Sequence, residues 1–143
     1  MGGGPYDNLV ARHSKKCVDV ADNSAANHAT VLQWRCHGGL NQQLRFKEVD
    51  GGHVEIRAQH SGKCLDVARA STEDGADVIQ YDCNSGHNQQ WLLQDQGDGH
   101  HRLVARHSGL CLDVKDASVN DGGRLVQKAC GTSVSQQFER RSG

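Results

Sequence analysis

Short alternations of apolar and polar residues recur along the chain at fairly even intervals. In one segment Leu65 and Val67 alternate with Cys64 and Asp66, which is the twofold period of a half-buried β-strand. Turn signals such as the His-Ser-Gly of residues 60–62 separate these runs. No stretch shows a capped apolar period of 3.6 residues, so the pattern predicts an all-β protein of short strands.

The alternating pattern repeats with a period of 47 residues. Each copy holds two cysteines, a Cys-x-Asp-Val segment and a Gln-Gln pair before a large apolar residue. Three copies cover essentially all of the 143-residue chain as one domain, at about residues 6–50, 51–97 and 98–143, here named the α, β and γ lobes. The equivalent positions are Cys17, Cys64 and Cys111; Cys36, Cys83 and Cys130; and Leu44, Trp91 and Phe138.

A closed threefold arrangement is the architecture that this repeat favours. One copy of 47 residues is too small to bury a core alone, so the three copies must share one. An open solenoid would need polar terminal repeats, and a propeller normally has about four or more blades. The copies are similar in character, so we predict a β-trefoil with pseudo-threefold symmetry.

The composition narrows the class of partner. The formal net charge is −1 and only 36% of the residues are hydrophobic. No apolar run approaches the roughly 18 residues of a membrane span, and no basic cluster suggests a nucleic-acid surface. We therefore expect neither membrane insertion nor nucleic-acid binding. Residues 1–4 (Met-Gly-Gly-Gly) look like an expression leader.

If the pairing of the six cysteines follows the threefold repeat, three symmetric pairing schemes remain. The local scheme is preferred, and each of its bridges would contribute about 3 kcal/mol to stability. Such bridges predict an oxidising, extracellular location, whereas reduced thiols in a cytosolic protein are the alternative. Zinc is disfavoured because its ligand pairs usually lie about two to four residues apart, and no metal or cofactor is expected. The local bridges are Cys17–Cys36, Cys64–Cys83 and Cys111–Cys130.

A candidate site follows from the cysteines. If antiparallel strands place the bridged cysteines opposite each other, the Asp of each Cys-x-Asp segment faces the residue two before the second cysteine. A carboxylate beside an aromatic ring suits a sugar, because the ring covers its C–H face and the carboxylate accepts from its hydroxyls. The alternative is that these Asp residues cap turns. The predicted pairs are Asp19 with Trp34, Asp66 with Tyr81, and Asp113 with Lys128.

Together, the Cys-Leu-Asp-Val, second-cysteine and Asn-Gln-Gln-Trp motifs resemble the ricin B-type lectin family, also called carbohydrate-binding module family 13. The resemblance covers all three repeats. It implies a β-trefoil lectin that binds galactose-type sugars as mono- or oligosaccharides, polysaccharides or glycoconjugates. A xylan- or arabinan-binding module is the alternative that it also implies, and members are often parts of larger secreted enzymes or toxins.

Residue by residue, the resemblance implies two complete sites and one weak or inactive one. The γ lobe keeps Asp113 and Gln136, but it has Lys128 for the ring and Ser135 for the Asn. An ion pair between Lys128 and Asp113 would fill that site. The implied α site is Asp19, Trp34, Asn41 and Gln42, and the implied β site is Asp66, Tyr81, Asn88 and Gln89.

Other residues recur with the period or stand near these sites. Because side chains alternate between the two faces of a strand, the glutamines before the ring position are expected to point away from the site. The repeated histidines are expected to make structural hydrogen bonds. Lys15 stands where the other copies have glycine, which predicts a strained or reshaped turn. His37 and His87 flank the α and β sites. The glutamines are Gln33, Gln80 and Gln127, and the histidines are His13, His60 and His107.

Catalysis is not expected. A glycosidase needs two carboxylates about 5–10 Å apart. The repeated Asp residues lie one per lobe and should be too distant to cooperate. A protein-binding trefoil is a third possibility, but it would not require a matched Asp and ring in two lobes.

Overall fold

The computed structural model describes residues 5–142, so the suggested leader at residues 1–4 lies outside it. The described residues form twelve β-strands and seven 3₁₀ turns. Within them, no helix has the length and apolar character needed to cross a membrane. The strands are β1 Asp7–Ala11, β2 Cys17–Val20, β3 Val31–Trp34, β4 Leu44–Glu48, β5 Val54–Ala58, β6 Cys64–Val67, β7 Val78–Tyr81, β8 Gln90–Gly97, β9 His100–Ala105, β10 Cys111–Val114, β11 Leu125–Lys128 and β12 Phe138–Ser142.

Six strands close into an antiparallel barrel in the order β1, β4, β5, β8, β9 and β12, and β12 returns to β1. The long ladders join successive lobes: β4 pairs with β5, and β8 pairs with β9. The ladder from Asp7↔Ser142 to Ala11↔Phe138 joins the first strand to the last. Closure of the three lobes confirms the predicted β-trefoil.

The other six strands form three hairpins, β2–β3, β6–β7 and β10–β11. Each hairpin continues from a barrel strand through a single pair such as Val10↔Cys17. Isolated bridges join the hairpins to one another, for example Leu32↔Arg124 between the α and γ lobes. The hairpins therefore form one layer, and the candidate site of each lobe is built on its hairpin.

The core has threefold symmetry at the level of single side chains. Six positions in each lobe supply the buried apolar cluster. Leu44, Trp91 and Phe138, the large apolar residues that follow the Gln-Gln pair, are completely buried. The equivalent sets are Leu9, Ile56 and Leu103; Ala11, Ala58 and Ala105; Val18, Leu65 and Leu112; Val20, Val67 and Val114; Val31, Val78 and Leu125; and Leu44, Trp91 and Phe138.

The cysteines are joined by the local scheme. The bridges Cys17–Cys36, Cys64–Cys83 and Cys111–Cys130 each span 19 positions, and no described cysteine is free. Each bridge ties the start of the first hairpin strand to the loop that follows the second. This is the pairing that was preferred among the three symmetric schemes that the repeat allows.

Polar side chains hold neighbouring lobes together. His13 hydrogen-bonds the Ser118 carbonyl at 2.7 Å, and His60 and His107 make the equivalent contacts. The amide of Gln33 donates to the carbonyls of Ser118 and Asn120, both at 2.8 Å. Both expectations are confirmed: the repeated histidines are structural, and Gln33, Gln80 and Gln127 are buried away from the candidate sites.

Candidate functional site

A buried glutamine organises each candidate site. The 3₁₀ turn Leu40–Gln42 directs the Gln42 amide to Asp19 Oδ2 at 2.8 Å and to the Arg35 carbonyl at 3.0 Å. Its Oε1 accepts the His37 backbone N–H at 2.9 Å. Because every polar group of its amide is used, Gln42 holds the Asp and the loop after β3 in fixed positions. Gln89 makes the same contacts with Asp66, Asp82 and Asn84.

The position of these glutamines corrects one expectation. Gln42 and Gln89 were expected to contact sugar, but both are completely buried. They do not line the adjacent pockets. A side chain without exposed surface cannot touch a ligand, so both act as positioning residues.

The neighbouring asparagine holds the other carboxylate oxygen. Asn41 Nδ2 donates to Asp19 Oδ1 at 3.1 Å and to the Val20 carbonyl at 3.0 Å. Asn88 makes the matching contacts with Asp66 and Val67, both at 3.1 Å. Each of these two carboxylates is thus oriented through both oxygens. Unlike the glutamines, Asn41 and Asn88 line the pockets.

Burial raises the pKa of both carboxyl groups above the ordinary Asp value. For Asp19 the largest cause is desolvation, and the hydrogen bond from Gln42 and the nearby His37 oppose it. For Asp66 desolvation is again the largest cause, opposed first by the hydrogen bonds from Gln89 and Asn88. Both groups gain protons more readily than an exposed Asp would.

The strand register differs from the expected one by two residues. Asp19 lies opposite Leu32 and Cys17 lies opposite Trp34, with the same offset in the other lobes. The reason is that Cys36 lies beyond the end of β3, so the bridge is not a pair within the ladder. Asp19 and Trp34 are diagonal neighbours on one face, a separation that long side chains can span. They still line the same pocket.

The α pocket is a shallow depression of about 410 Å³. Asp19 and Asn41 line it beside the Trp34 ring, which is 36% exposed. His37 also lines it, with its Nε2 3.6 Å from Asp19 Oδ2. An exposed ring next to a buried, oriented carboxylate can bind a ligand that has an apolar face and hydroxyl donors.

The β pocket, of about 340 Å³, repeats this arrangement with Asp66, Asn88 and the half-buried Tyr81 ring. His28 and Arg69 line it as well. Sequence reasoning missed both residues. The available signal was their departure from the repeat, since the positions equivalent to Arg69 are Asp22 and Asp116 and those equivalent to His28 are glycines.

The γ pocket, of about 440 Å³, keeps only part of the arrangement. Gln136 Nε2 donates to Asp113 Oδ2 at 3.0 Å, but Asp113 Oδ1 is buried without a partner. Ser135 cannot reach it because its hydroxyl bonds Ser133 Oγ at 2.7 Å. Lys128 pairs with Asp74 of the β lobe at 3.4 Å, so the expected ion pair with Asp113 is wrong. Lys128 turns toward the neighbouring lobe because a carboxylate is available there.

One group of potential metal ligands occurs among residues 5–142, namely Glu55 with Cys64 and Cys83. Both sulfur atoms are in the disulfide, and Glu55 pairs with Arg57 at 2.6 Å. This group therefore offers no thiolate and no free carboxylate to a metal ion.

A family model described as ricin-type beta-trefoil lectin domain-like matches residues 1–81, 40–128 and 87–141. No curated protein matches the chain significantly.

Solved structures with the same fold include a designed threefold symmetric protein, ThreeFoil. It is 47% identical, with a TM-score of 0.96, and the alignment covers 98% of this chain and 100% of ThreeFoil. An exo-β-1,3-galactanase from Clostridium thermocellum is 37% identical with a TM-score of 0.95, over 97% of this chain and 30% of the galactanase. The hemolytic lectin CEL-III is 25% identical with a TM-score of 0.79, over 96% of this chain and 30% of the lectin.

Proposed function

The chain belongs to the ricin-type β-trefoil lectin domain-like family, and we propose that it binds galactose-type sugars through its α and β pockets. The observation that carries the proposal is the matched pair of oriented carboxylates, each beside an accessible ring. Asp19 lies beside Trp34 and Asp66 beside Tyr81. The other aromatic side chains that line these pockets are His37 in the α pocket and His28 in the β pocket.

The chemistry of each pocket suits a neutral sugar. The lone pairs that Asp19 does not use for its amide donors accept from two adjacent sugar hydroxyls, and such charge-assisted bonds are the stronger kind. The Asn41 carbonyl oxygen is available to a third hydroxyl. The Trp34 face covers the C–H side of the sugar ring. The β pocket has the same groups in Asp66, Asn88 and Tyr81.

The preference for galactose-type sugars is supported by the galactanase. A segment that spans 30% of that enzyme is 37% identical to this chain. Its activity belongs to the whole enzyme, so we propose only that a related module here takes the same class of sugar. A xylan- or arabinan-binding module is the alternative that a glycan array would separate from this one.

A binding role without catalysis fits the β pocket. Among the residues that line it, Asp66 is the sole carboxylate, whereas a glycosidase places a second acid about 5–10 Å away. Asp66 also accepts hydrogen bonds from two amide donors.

The three disulfides indicate that the protein functions in an oxidising, extracellular compartment.

Shallow pockets of this kind give weak single-site affinity, about 4–6 kcal/mol or millimolar to high-micromolar dissociation constants. Two pockets on one rigid module raise the apparent affinity for a polymer or a cell surface, because the second contact becomes intramolecular. Retention on a multivalent matrix is therefore the sensitive assay.

The test is retention on immobilised galactose. Asp19→Ala combined with Asp66→Ala should abolish retention, because both pockets lose the acceptor of the sugar hydroxyls. Asp113→Ala is the matched control, since it removes an equally buried carboxylate from the lobe without a ring. Circular dichroism checks that all variants are folded. Equal loss in the control, or no loss in the double variant, would contradict the proposal.

A further inference from the structure

The β pocket contains one residue from the α lobe. The backbone N–H of His28 donates to the Gln80 carbonyl at 2.9 Å, and Gly75 and Gly122 make the equivalent bonds at 2.7 and 2.8 Å. The three residues therefore occupy one position of the repeat, and each bonds the second hairpin strand of the next lobe. Only at the β pocket does this position carry a side chain.

His28 occupies a backbone conformation that favours glycine. Its φ is 75°, in the left-handed region where Gly75 and Gly122 lie at 92° and 93°. A non-glycine residue is strained there, and such strain often marks a functional position. The His28 side chain makes no hydrogen bond within residues 5–142, so no polar contact in this range accounts for it. Its ring instead packs edge-on to Tyr81, with ring centroids 5.1 Å apart.

A second depression of about 610 Å³ adjoins the β pocket. His28, Arg69 and Ile79 line both depressions, so the two lie side by side on these three residues. The His28 ring thus lies at the boundary between the Tyr81 ring and the second depression, here named the β groove, which is lined also by the loop of residues 71–77.

The charges in the β groove are largely balanced. Asp74 pairs with Lys128 at 3.4 Å, and Asp77 pairs with Arg124 at 3.2 Å. Arg69 and Glu73 also line the groove. A polar lining with paired charges suits a neutral ligand rich in hydroxyl groups better than an ionic one.

The groove residues differ from their equivalents in the other lobes. Glu73 corresponds to Ala26 in the α lobe, and His28 corresponds to Gly122 at the α pocket. The α pocket therefore lacks both side chains. This difference provides variants that replace β-site residues with those of the α site.

We propose that the β site extends past His28 into the β groove and binds two consecutive neutral hexose residues of a glycan. The α site, by contrast, binds one. The inference rests on the proposed sugar binding of the β pocket. The first hexose stacks on Tyr81, and the second contacts His28 and hydrogen-bonds Glu73.

The test isolates the β site in a Trp34→Ala background, which removes the exposed ring of the α pocket. Calorimetric titration compares galactose with lactose and β-1,3-linked galactobiose. At least one disaccharide should bind about fivefold more tightly than galactose, the effect of one or two net hydrogen bonds. Tyr81→Ala isolates the α site and is the matched control, where the ratio should be near one.

Two substitutions then locate the preference. Glu73→Ala, which installs the α-lobe residue, should remove most of the disaccharide preference and leave galactose affinity unchanged. His28→Gly should reduce the ratio of disaccharide to galactose affinity without lowering the melting temperature, because it relieves the strained backbone. His28→Asn tests loss of the imidazole ring while keeping a residue that tolerates this conformation.

The outcomes separate the two proposals. If galactose does not bind the Trp34→Ala protein, the proposed function of the β pocket fails and the extended site fails with it. If galactose binds but the disaccharides bind no better, or if their advantage survives both Glu73→Ala and His28→Gly, the β groove is not a subsite and the β pocket stands alone.

Discussion

The α and γ lobes share their framework and differ in what faces the pocket. Each has the local disulfide, and each has a buried glutamine that donates to the Asp at about 3 Å. In the α lobe Asn41 completes the hold on the carboxylate and Trp34 covers one side of the pocket. In the γ lobe serine and lysine occupy those positions.

This difference distinguishes residues with a structural role from residues with a proposed role in ligand binding. The γ pocket has lost its ring and its asparagine, yet Gln136 still donates to Asp113 and to the Ala129 carbonyl. The contact between the Cys-x-Asp segment and the buried Gln is therefore independent of the ring and the asparagine. The asparagine and the ring are the groups that the proposed sugar sites have and the γ pocket lacks.

Removing a disulfide tests whether the framework that the α and γ lobes share contributes equally to stability in both. Cys111→Ala with Cys130→Ala should destabilise the protein by about 3 kcal/mol, because the unfolded chain gains the freedom of a loop of roughly 20 residues. Cys17→Ala with Cys36→Ala should have a similar effect on stability. Chemical denaturation measures both.

The two cysteine pairs should differ in their effect on sugar binding. Loss of the γ bridge should leave retention on galactose unchanged, whereas loss of the α bridge loosens the loop that carries His37 and weakens retention. If the variant without the γ bridge folds but loses retention as fully as the variant without the α bridge, the γ lobe contributes to sugar binding as much as the α lobe, and the comparison is wrong.

Repair of the γ pocket is the next largest effect. Lys128→Trp with Ser135→Asn should raise its sugar affinity about tenfold, because a ring is added and the new amide can donate to Asp113 Oδ1, which has no partner. The lost ion pair of Lys128 with Asp74 is exposed and contributes little. Titration should then show three sugars per chain instead of two.

The control for this repair is Lys128→Ala, which removes the cation without adding a ring. It should leave the stoichiometry at two. A third site that appears with this single change would mean that Lys128 blocks the pocket, and that the missing ring is not the reason for its weakness.

The repeat made most of the fold predictable. Its period limited the cysteine pairings, and strand alternation correctly placed Gln33 away from the site. The register between β2 and β3 was missed because a disulfide does not require its cysteines to be direct partners in the ladder. Contacts between lobes were also hidden. Lys128 finds Asp74, and His28 reaches the β pocket, only because hairpins from different lobes meet.

Acidification should weaken binding in the α and β lobes. Burial raises the pKa of Asp19 and Asp66 above the ordinary Asp value of 3.8, so at pH 3.8 each carboxyl group is protonated in more than half of the molecules. Protonation removes the charged acceptor, and affinity for galactose should be reduced by more than about twofold there. Titration between pH 7 and pH 3.8 measures it, and affinity that stays constant over this range would contradict the role of the carboxylates.

The same shifts act on folding with the opposite sign. A raised folded-state pKa means that the folded protein binds these protons more tightly than the unfolded chain, so these two groups add stability as the pH falls through their pKa. Protonation of Asp19 and Asp66 should therefore weaken sugar binding without itself unfolding the protein. His37 lies 3.6 Å from Asp19, so His37→Ala separates the effect of the Asp19 carboxyl group from that of its neighbour.

One turn of the α lobe is built with a different residue. Lys15 has a φ of 64°, close to the 72° and 74° of Gly62 and Gly109, and its N–H bonds the Ala11 carbonyl at 2.8 Å as in the other lobes. The turn is thus strained and not reshaped.

Lys15→Gly should stabilise the protein by about 0.5 kcal/mol, because the relieved strain exceeds the added freedom of the unfolded chain. Gly62→Ala is the matched reverse change: a Cβ there meets nothing within 4 Å, so its cost of about 1 kcal/mol is that of the backbone alone. If thermal unfolding shows no difference for either variant, the left-handed turn carries no strain, and the α lobe's departure from glycine has no effect on stability.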